Sequence, residues 1–534
     1  MVSRYPQAQS TGLRVNPSEK QNISKVAKNS IISGMGFIIN LITMPITSVL
    51  TTRVLGAELY GIFSLIQSWG SLLSNVSSLG LSGTNLRFLP AYKADNDKPK
   101  MKGSIRWTLL ITLIISLLIT VIIILFPRQF CEIFVHRPPN TSVEVYETTI
   151  ANAFRFYAIS ILVTALYLVF ISSLNGLQEI KFKVAANEII GSAVKVVSLV
   201  SLILLGLDLY AALLSNIIQD LAIFGFSLYF LTKAFPEIRK PDVKPEYELS
   251  RMNKFAAALF SKSLLNNYSF QLDILFLGYF NTIREVGIYT VALRLQPLIF
   301  LPHYAIKIIF DPMVAELYVK QSLDELGRLY KTVTKWAFSL SLPVFATIVL
   351  FSGEILNIFG KEFTEGFLLV LILSFGNVIH NLLGLSGNMI MMIGRIHVNL
   401  ANSVVMAVMN IVVYFFLIKI YGVMGAAVGN ALSLIILNVL TTIQIWYFLR
   451  MHPFKKSFYK PLLSIGISVL IEESLRFIYK IPYYQYTFIV YVMALWIFYV
   501  AGLFILRLDP HDVYVIRKIT NKFPFLAKLL PKNL

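Results

Sequence analysis

The chain has 534 residues, of which 56% are hydrophobic and only 14% charged, and its mean hydropathy is +0.69. Soluble domains carry about 25% charged residues, so a water-soluble enzyme, a disordered tail and a nucleic-acid scaffold are excluded. The 47 Lys and Arg against 28 Asp and Glu give a formal net charge of +19; in a membrane protein such a surplus reports orientation before it reports a partner, and nucleic acid is not an expected one.

The single Cys131 excludes an internal disulfide or a multi-Cys metal site, and no metal or other cofactor is expected. The first 28 residues are polar and contain Arg4, Arg14, Lys20, Lys25 and Lys28. They lack the short apolar core of a removable signal, so the first span is expected to direct insertion itself.

Apolar runs of about 20 residues, long enough to cross a hydrocarbon core of roughly 30 Å, occur near 29–50, 61–90, 105–126, 149–173, 187–206, 209–232, 255–280, 287–312, 336–352, 364–384, 397–419, 423–448, 460–479 and 485–507. The expected fold is therefore an all-α polytopic membrane protein with about 14 transmembrane helices. With the N-terminus inside, 33 Lys and Arg fall in cytoplasmic segments, 8 in outer segments and 6 within the spans. That imbalance predicts that both termini are cytoplasmic. The stretch from Asp509 to Leu534, with basic residues among Val, Ile, Phe and Leu, is expected to lie along the inner interface.

The chain also repeats itself. Gly61-Ile62-Phe63-Ser64-Leu65 at the start of span 2 recurs at an offset of 226 as Gly287-Ile288-Tyr289-Thr290-Val291 at the start of span 8. An offset of 215 later superimposes Asn187 on Asn402 and Ala211-Ala212 on Ala426-Ala427. Because six spans is an even number, the halves would enter the membrane in the same sense, as two six-helix lobes related by a pseudo-two-fold along the membrane normal. The expected organisation is a cytoplasmic tail over 1–28, an N-lobe over 29–232, a cytoplasmic linker over 233–254 and a C-lobe over 255–449. Two extra spans follow over 460–507, and a basic interfacial segment over 508–534.

Arg53-Val54-Leu55-Gly56-Ala57-Glu58-Leu59-Tyr60-Gly61-Ile62-Phe63-Ser64-Leu65, followed by Leu79-Gly80-Leu81-Ser82 and Arg87-Phe88-Leu89-Pro90-Ala91-Tyr92, resembles the N-terminal signature of Wzx-type polysaccharide flippases. These belong to the multidrug/oligosaccharidyl-lipid/polysaccharide exporter superfamily. The resemblance implies a transporter of the cytoplasmic membrane that moves a polyprenyl-pyrophosphate-linked oligosaccharide to the outer leaflet by alternating access. It also implies neighbouring polymerase or glycosyltransferase machinery. In the related lipid II flippases, basic residues on the first span serve the cavity. Here Asn29 to Leu50 carries no charge, so those positions do not transfer and a cationic site must be built elsewhere.

The candidates are the six basic residues within the spans: Arg87, Arg155, Lys195, Lys262, Arg294 and Lys307. An intramembrane charge costs at least about 2.5 to 3.5 kcal/mol and normally faces a partner or a watery cavity. The acids Asp220, Asp273 and Asp311 are the corresponding ion-pair or ion-coupling candidates, and Glu472 and Glu473 lie on span 13. Lys195 and Asp220 are equidistant from the turn between spans 5 and 6, and Asp273 and Arg294 from the turn between spans 7 and 8, which predicts two pairs at matched depth. Lys307 and Asp311 are four apart and can bridge on one face. Lys262, Asn266, Ser269 and Asp273 form a polar stripe on span 7. This stripe is expected to face the cavity between the lobes, with Lys262, Lys307, Arg155 and Arg294 attracting pyrophosphate. Asn187, Asn216, Asn377, His380, Asn381, Asn399, Asn402 and Asn410 are candidates for a sugar-accommodating wall, with interhelical hydrogen bonding as the alternative.

Two rival functions remain. A drug or cation exporter of the same superfamily would favour acidic spans, whereas basic residues dominate here. An intramembrane glycan polymerase or ligase would carry acid/base residues on a sizeable outer loop, but the longest outer segment, 127–148, has few. No HExxH, GxSxG or Walker A motif is present, so a non-enzymatic transporter driven by H+, Na+ or the membrane potential is expected.

Overall fold

The computed structural model describes residues 17–135, 146–266, 271–479, 488–507, 509 and 512–513, and among them every regular element is helical. The N-terminal half comprises α1 (Pro17–Ser77), α2 (Leu81–Ala94), α3 (Lys98–Leu125), α4 (Pro127–Phe134), α5 (Asn152–Gly176), α6 (Ile180–Val184), α7 (Gly191–Leu204) and α8 (Leu209–Ala234). The C-terminal half continues with α9 (Leu249–Asn266), α10 (Leu272–Phe280), α11 (Ile283–Arg294), α12 (Gln296–Val319), α13 (Leu323–Leu350), α14 (Ser352–Phe359), α15 (Phe367–Leu383), α16 (Leu385–Met392) and α17 (Ile396–Leu449). Helices α18 (Tyr459–Tyr479) and α19 (Phe488–Ile505) follow.

Ten helical stretches of the described residues are long and apolar enough to cross a membrane. The difference from fourteen has two causes. Ile32–Ser77 and Ile396–Leu449 each hold two spans, folded back at Gly56 (φ 67°) and Gly422 (φ 56°), where a left-handed backbone favours glycine. Span 7 is divided between α9 and α10, and span 13, now α18, carries Glu472, Glu473 and Arg476. In lipid every backbone amide must be satisfied internally, which is why apolar runs of this length fold as helices. Local signals fix their ends. The Asp97 carboxylate accepts from the Lys100 amide at 3.1 Å to start α3, and a Thr282/Glu285 capping box starts α11.

The two lobes cross at the repeated glycines. A Cβ on Gly61 would lie 1.9 Å from the Ile283 carbonyl oxygen, and a Cβ on Gly287 would lie 2.0 Å from that of Ala57. Residues 57 and 283, like 61 and 287, differ by 226, so the contact is reciprocal about a pseudo-two-fold axis. Without side chains the α1 and α11 backbones approach to a distance that any larger residue would prevent. Around this crossing lies the main apolar core, with Tyr60, Leu65 and Ile66 against Val286, Tyr289 and Val291.

Neighbouring contacts reinforce the crossing. The Arg53 guanidinium donates to the Ile358 and Asn357 carbonyls, both at 2.8 Å, placing a cation at the C-terminal end of α14. The Ala57 amide donates to Glu362 at 2.9 Å. At the other end of the bundle α2 meets α9, where Gly80 approaches the Ala256 carbonyl, and Phe37 of α1 stacks on Tyr304 of α12 with ring centroids 5.1 Å apart.

The last two helices are fastened to α13. The Tyr499 hydroxyl donates to the Ser339 carbonyl at 2.7 Å and the Trp496 indole to Thr347 at 3.2 Å. Below them the buried Lys335 ammonium bonds Asp509 at 2.8 Å and Asp512 at 2.6 Å. Asp509 also takes Ser457 at 2.6 Å, Lys460 at 3.0 Å and Lys455 at 3.0 Å. The described residues just after span 14 dock between α13 and the start of α18.

Candidate functional site

Each lobe contains a cavity, mainly polar in the N-lobe and mainly apolar in the C-lobe. The N-lobe cavity, about 310 Å³, is walled by α1, α5, α7 and α8 and includes Gln67, Ser160, Thr164, Lys195 and Asp220. Ser160 and Thr164, four apart and hence on one face of α5, both donate to Asp220, Thr164 at 3.1 Å. Lys195 lies within electrostatic reach of Asp220 and of Arg294. The depth argument thus brings Lys195 and Asp220 to one cavity, but no direct ion pair joins them: the hydroxyls of α5 stand at the carboxylate instead.

The expected Asp273–Arg294 pair does not form. Asp273 is fully buried and accepts from the Tyr289 hydroxyl at 2.6 Å, the Asn430 amide at 3.2 Å and the Ile274 amide at 2.8 Å. Tyr289 and Arg294 are five residues apart on α11, roughly 140° around a helix with 3.6 residues per turn. When Tyr289 turns to Asp273 inside the C-lobe, Arg294 must therefore point elsewhere. Its Nη2 reaches Gln67 Oε1 on the other lobe at 3.4 Å, and its buried Nε has no partner among the described residues. Arg294 and Lys195 together place two cations beside the N-lobe cavity.

The C-lobe cavity, about 610 Å³, lies among α12, α15, α16 and α17. Lys307 stands on its wall and is bonded to Asp311 at 2.8 Å, as the spacing predicts. His303, His380 and Phe300 form a ring cluster with centroids 4.7 to 5.0 Å apart. Of the candidate wall residues, Asn377, His380, Asn399, Asn402 and Asn410 line this cavity, and Asn187 and Asn216 line the N-lobe cavity. Asn381 does not: its amide donates to the Ile299 carbonyl at 2.6 Å in the packed core.

The remaining candidates separate. Arg155 is exposed, and its Nε donates to the Ile124 carbonyl at 3.1 Å. It therefore caps the end of α3 and is removed from the cavity set. Arg87 is exposed on α2. Lys262 lies on α9, with its side chain outside the described residues, as are those of Asn266 and Ser269 in the proposed stripe. Gln67, Tyr289, Asn430 and the Ser160/Thr164 pair escaped the sequence reading. The i,i+4 hydroxyls were a readable signal, whereas the Gln67 and Asn430 contacts connect residues 227 and 157 positions apart.

Comparison with known proteins places this architecture. Residues 26–301 match the family described as "Polysaccharide biosynthesis protein", and residues 258–416 match the MatE family. The chain is similar to the probable low-salt glycan biosynthesis flippase Agl15 of Haloferax volcanii, at 26% identity over 240 residues, 44% of this chain. That match spans 49% of the Agl15 length. An uncharacterized membrane protein of Methanocaldococcus jannaschii is 22% identical over 427 residues, 77% of this chain and 82% of its own. Among solved structures, the lipid II flippase MurJ in an inward closed conformation superimposes with a TM-score of 0.67 at 14% identity, over 90% of this chain and 98% of MurJ. An inward-facing MATE multidrug transporter gives 0.63 at 16% identity, over 76% and 93%. The lobed fold is thus shared with flippases and drug transporters alike. On the family match over residues 26–301, the chain is a multi-pass membrane protein that belongs to the family described as "Polysaccharide biosynthesis protein".

Proposed function

We propose that the protein is a flippase that carries a polyprenyl-diphosphate-linked oligosaccharide from the cytoplasmic to the outer leaflet by alternating access, with both termini cytoplasmic. The observation that carries this reading is the convergence of Lys195 and Arg294 from opposite lobes beside one cavity. A diphosphate needs several cationic donors, and donors divided between two lobes change their separation as the lobes rock. Asp220 and Asp273 are the candidates for coupling transport to H+ or Na+, with the membrane potential as an alternative drive. Asp311 is engaged by Lys307. Polymerase or glycosyltransferase machinery is the natural receiver of the flipped product.

A drug exporter is the second reading, favoured by the MatE match over 258–416. Deleting the gene and assigning accumulated lipid-linked sugars to their leaflet separates the two. Accumulation on the cytoplasmic side supports the flippase. Unchanged glycans with altered drug tolerance support the exporter.

A further inference from the structure

The C-lobe cavity has a chemistry unlike that of its N-lobe counterpart. Lys307 is the one charged residue on its described wall, and Asp311 already balances it at 2.8 Å. Seven asparagines line the same wall. Four buried polar atoms there, His303 Nδ1, His380 Nε2, Asn410 Oδ1 and Ser433 Oγ, have no hydrogen-bond partner among the described residues. His303 is 2% exposed and Asn410 and Ser433 are each 3% exposed. Buried polar atoms without partners are costly unless a ligand or water meets them.

The orientation of the pair nearest the rings is set. The Asn438 amide donates to His380 Nδ1 at 2.9 Å, which leaves Nε2 carrying the proton of the neutral ring and available to donate. Asn410 Oδ1 offers an acceptor, and the Ser433 hydroxyl can do either. Between these groups stand Phe300, Met406, Leu434 and Leu437. At about 610 Å³ the cavity falls within the range of about 300 to 1,000 Å³ occupied by small-ligand sites.

We propose that the C-lobe cavity is a binding site for the uncharged glycan of the cargo, while Lys195 and Arg294 hold its diphosphate. This inference rests on the flippase reading and deepens it. Sugar hydroxyls both donate and accept, which suits amides, a serine and a neutral imidazole. The apolar C–H faces of a pyranose suit the Phe300, Met406 and leucine walls. An anionic ligand would find no uncompensated cation on the described C-lobe wall, and a bare prenyl tail would leave the four polar atoms unmet.

The test is equilibrium binding by the full-length protein in lipid nanodiscs. The probes are farnesyl diphosphate and farnesyl diphosphate bearing a neutral hexose trisaccharide. The wild-type protein is expected to bind the glycosylated probe at least tenfold more tightly. Asn410→Leu with Ser433→Val should bring it down to the affinity of the bare probe, and so should Met406→Trp, which fills the cavity without removing a polar group. Lys195→Gln with Arg294→Gln should weaken both probes and preserve their ratio. No preference in the wild-type protein, or a preference that survives both C-lobe variants, overturns the glycan site and leaves the diphosphate reading standing. C-lobe variants that lose both probes equally overturn the division between lobes. Failure of the wild-type protein to bind either probe overturns the flippase reading itself.

Discussion

Arg294 of one lobe reaches Gln67 of the other, Nη2 to Oε1 at 3.4 Å, while Asp273, which the sequence predicts at a matched depth, is held by Tyr289 and Asn430. The arginine is thereby directed to the other lobe, where the proposed diphosphate would meet it. Its companion is Lys195 on the N-lobe wall.

Arg155 provides the contrast. It is exposed and bound to the Ile124 carbonyl at the end of α3, so Arg155→Gln should leave diphosphate binding within about twofold of wild type. Binding of farnesyl diphosphate by the purified variant checks this; a tenfold loss would return Arg155 to the site.

Asp273 receives three hydrogen bonds. Asp273→Leu strands the Tyr289 hydroxyl and the Asn430 amide, at a cost of about 1 to 3 kcal/mol for a buried group left unpaired, and should lower Tm clearly. Asp273→Asn keeps the shape and should stay near the wild-type Tm. If the carboxylate couples ions, transport by this variant no longer responds to an imposed H+ or Na+ gradient, which a proteoliposome assay reads directly.

The Gly61–Gly287 crossing predicts a steep steric response. With a Cβ 1.9 Å from the Ile283 carbonyl oxygen, Gly61→Val must push α1 from α11, and overpacking of this kind costs about 1 to 3 kcal/mol. Gly287→Val should behave alike because the contact is reciprocal. Thermal unfolding in detergent measures both; Gly353→Val, at a glycine with open space around it, is the comparison and should shift Tm little.

The Asp509 cluster predicts a pH dependence. Burial pushes its carboxyl up, but bonds from Lys335, Ser457, Lys460 and Lys455 outweigh that and hold it well below the usual carboxylate range. A carboxylate depressed in the folded state contributes its stability above the unfolded value of about 3.9 and loses it as pH falls further. Tm should therefore owe nothing to this group's titration between pH 8 and 5, then decline below about pH 4. Asp509→Asn should lower Tm at pH 7, by removing the carboxylate that Lys335, Lys455 and Lys460 share and leaving Lys335 to Asp512 alone, and should flatten the acid limb.

Much of the fold was legible because lipid leaves an apolar run of 20 residues few alternatives to a helix, and because the 226-residue offset marked both partners of the lobe crossing. Depth along a helix was also readable, and it brought Lys195 and Asp220 to one cavity; so was the shared face of an i,i+4 pair, which joined Lys307 to Asp311. Azimuth between neighbouring helices was not. Asp273 and Arg294 are predicted to match in height yet diverge because Tyr289, roughly 140° away from Arg294 on the same helix, takes the carboxylate. The Lys335–Asp509 bond spans 174 positions and joins the residue just before span 9 to a segment that reads as basic interface, so nothing local announced it.

The most direct test of the central claim is made in cells lacking the gene and complemented with Lys195→Gln/Arg294→Gln. The account predicts that this variant reaches the membrane at wild-type levels while lipid-linked oligosaccharide accumulates in the cytoplasmic leaflet, with outer-leaflet product reduced at least tenfold. Outer-leaflet product appearing at the wild-type rate would contradict it.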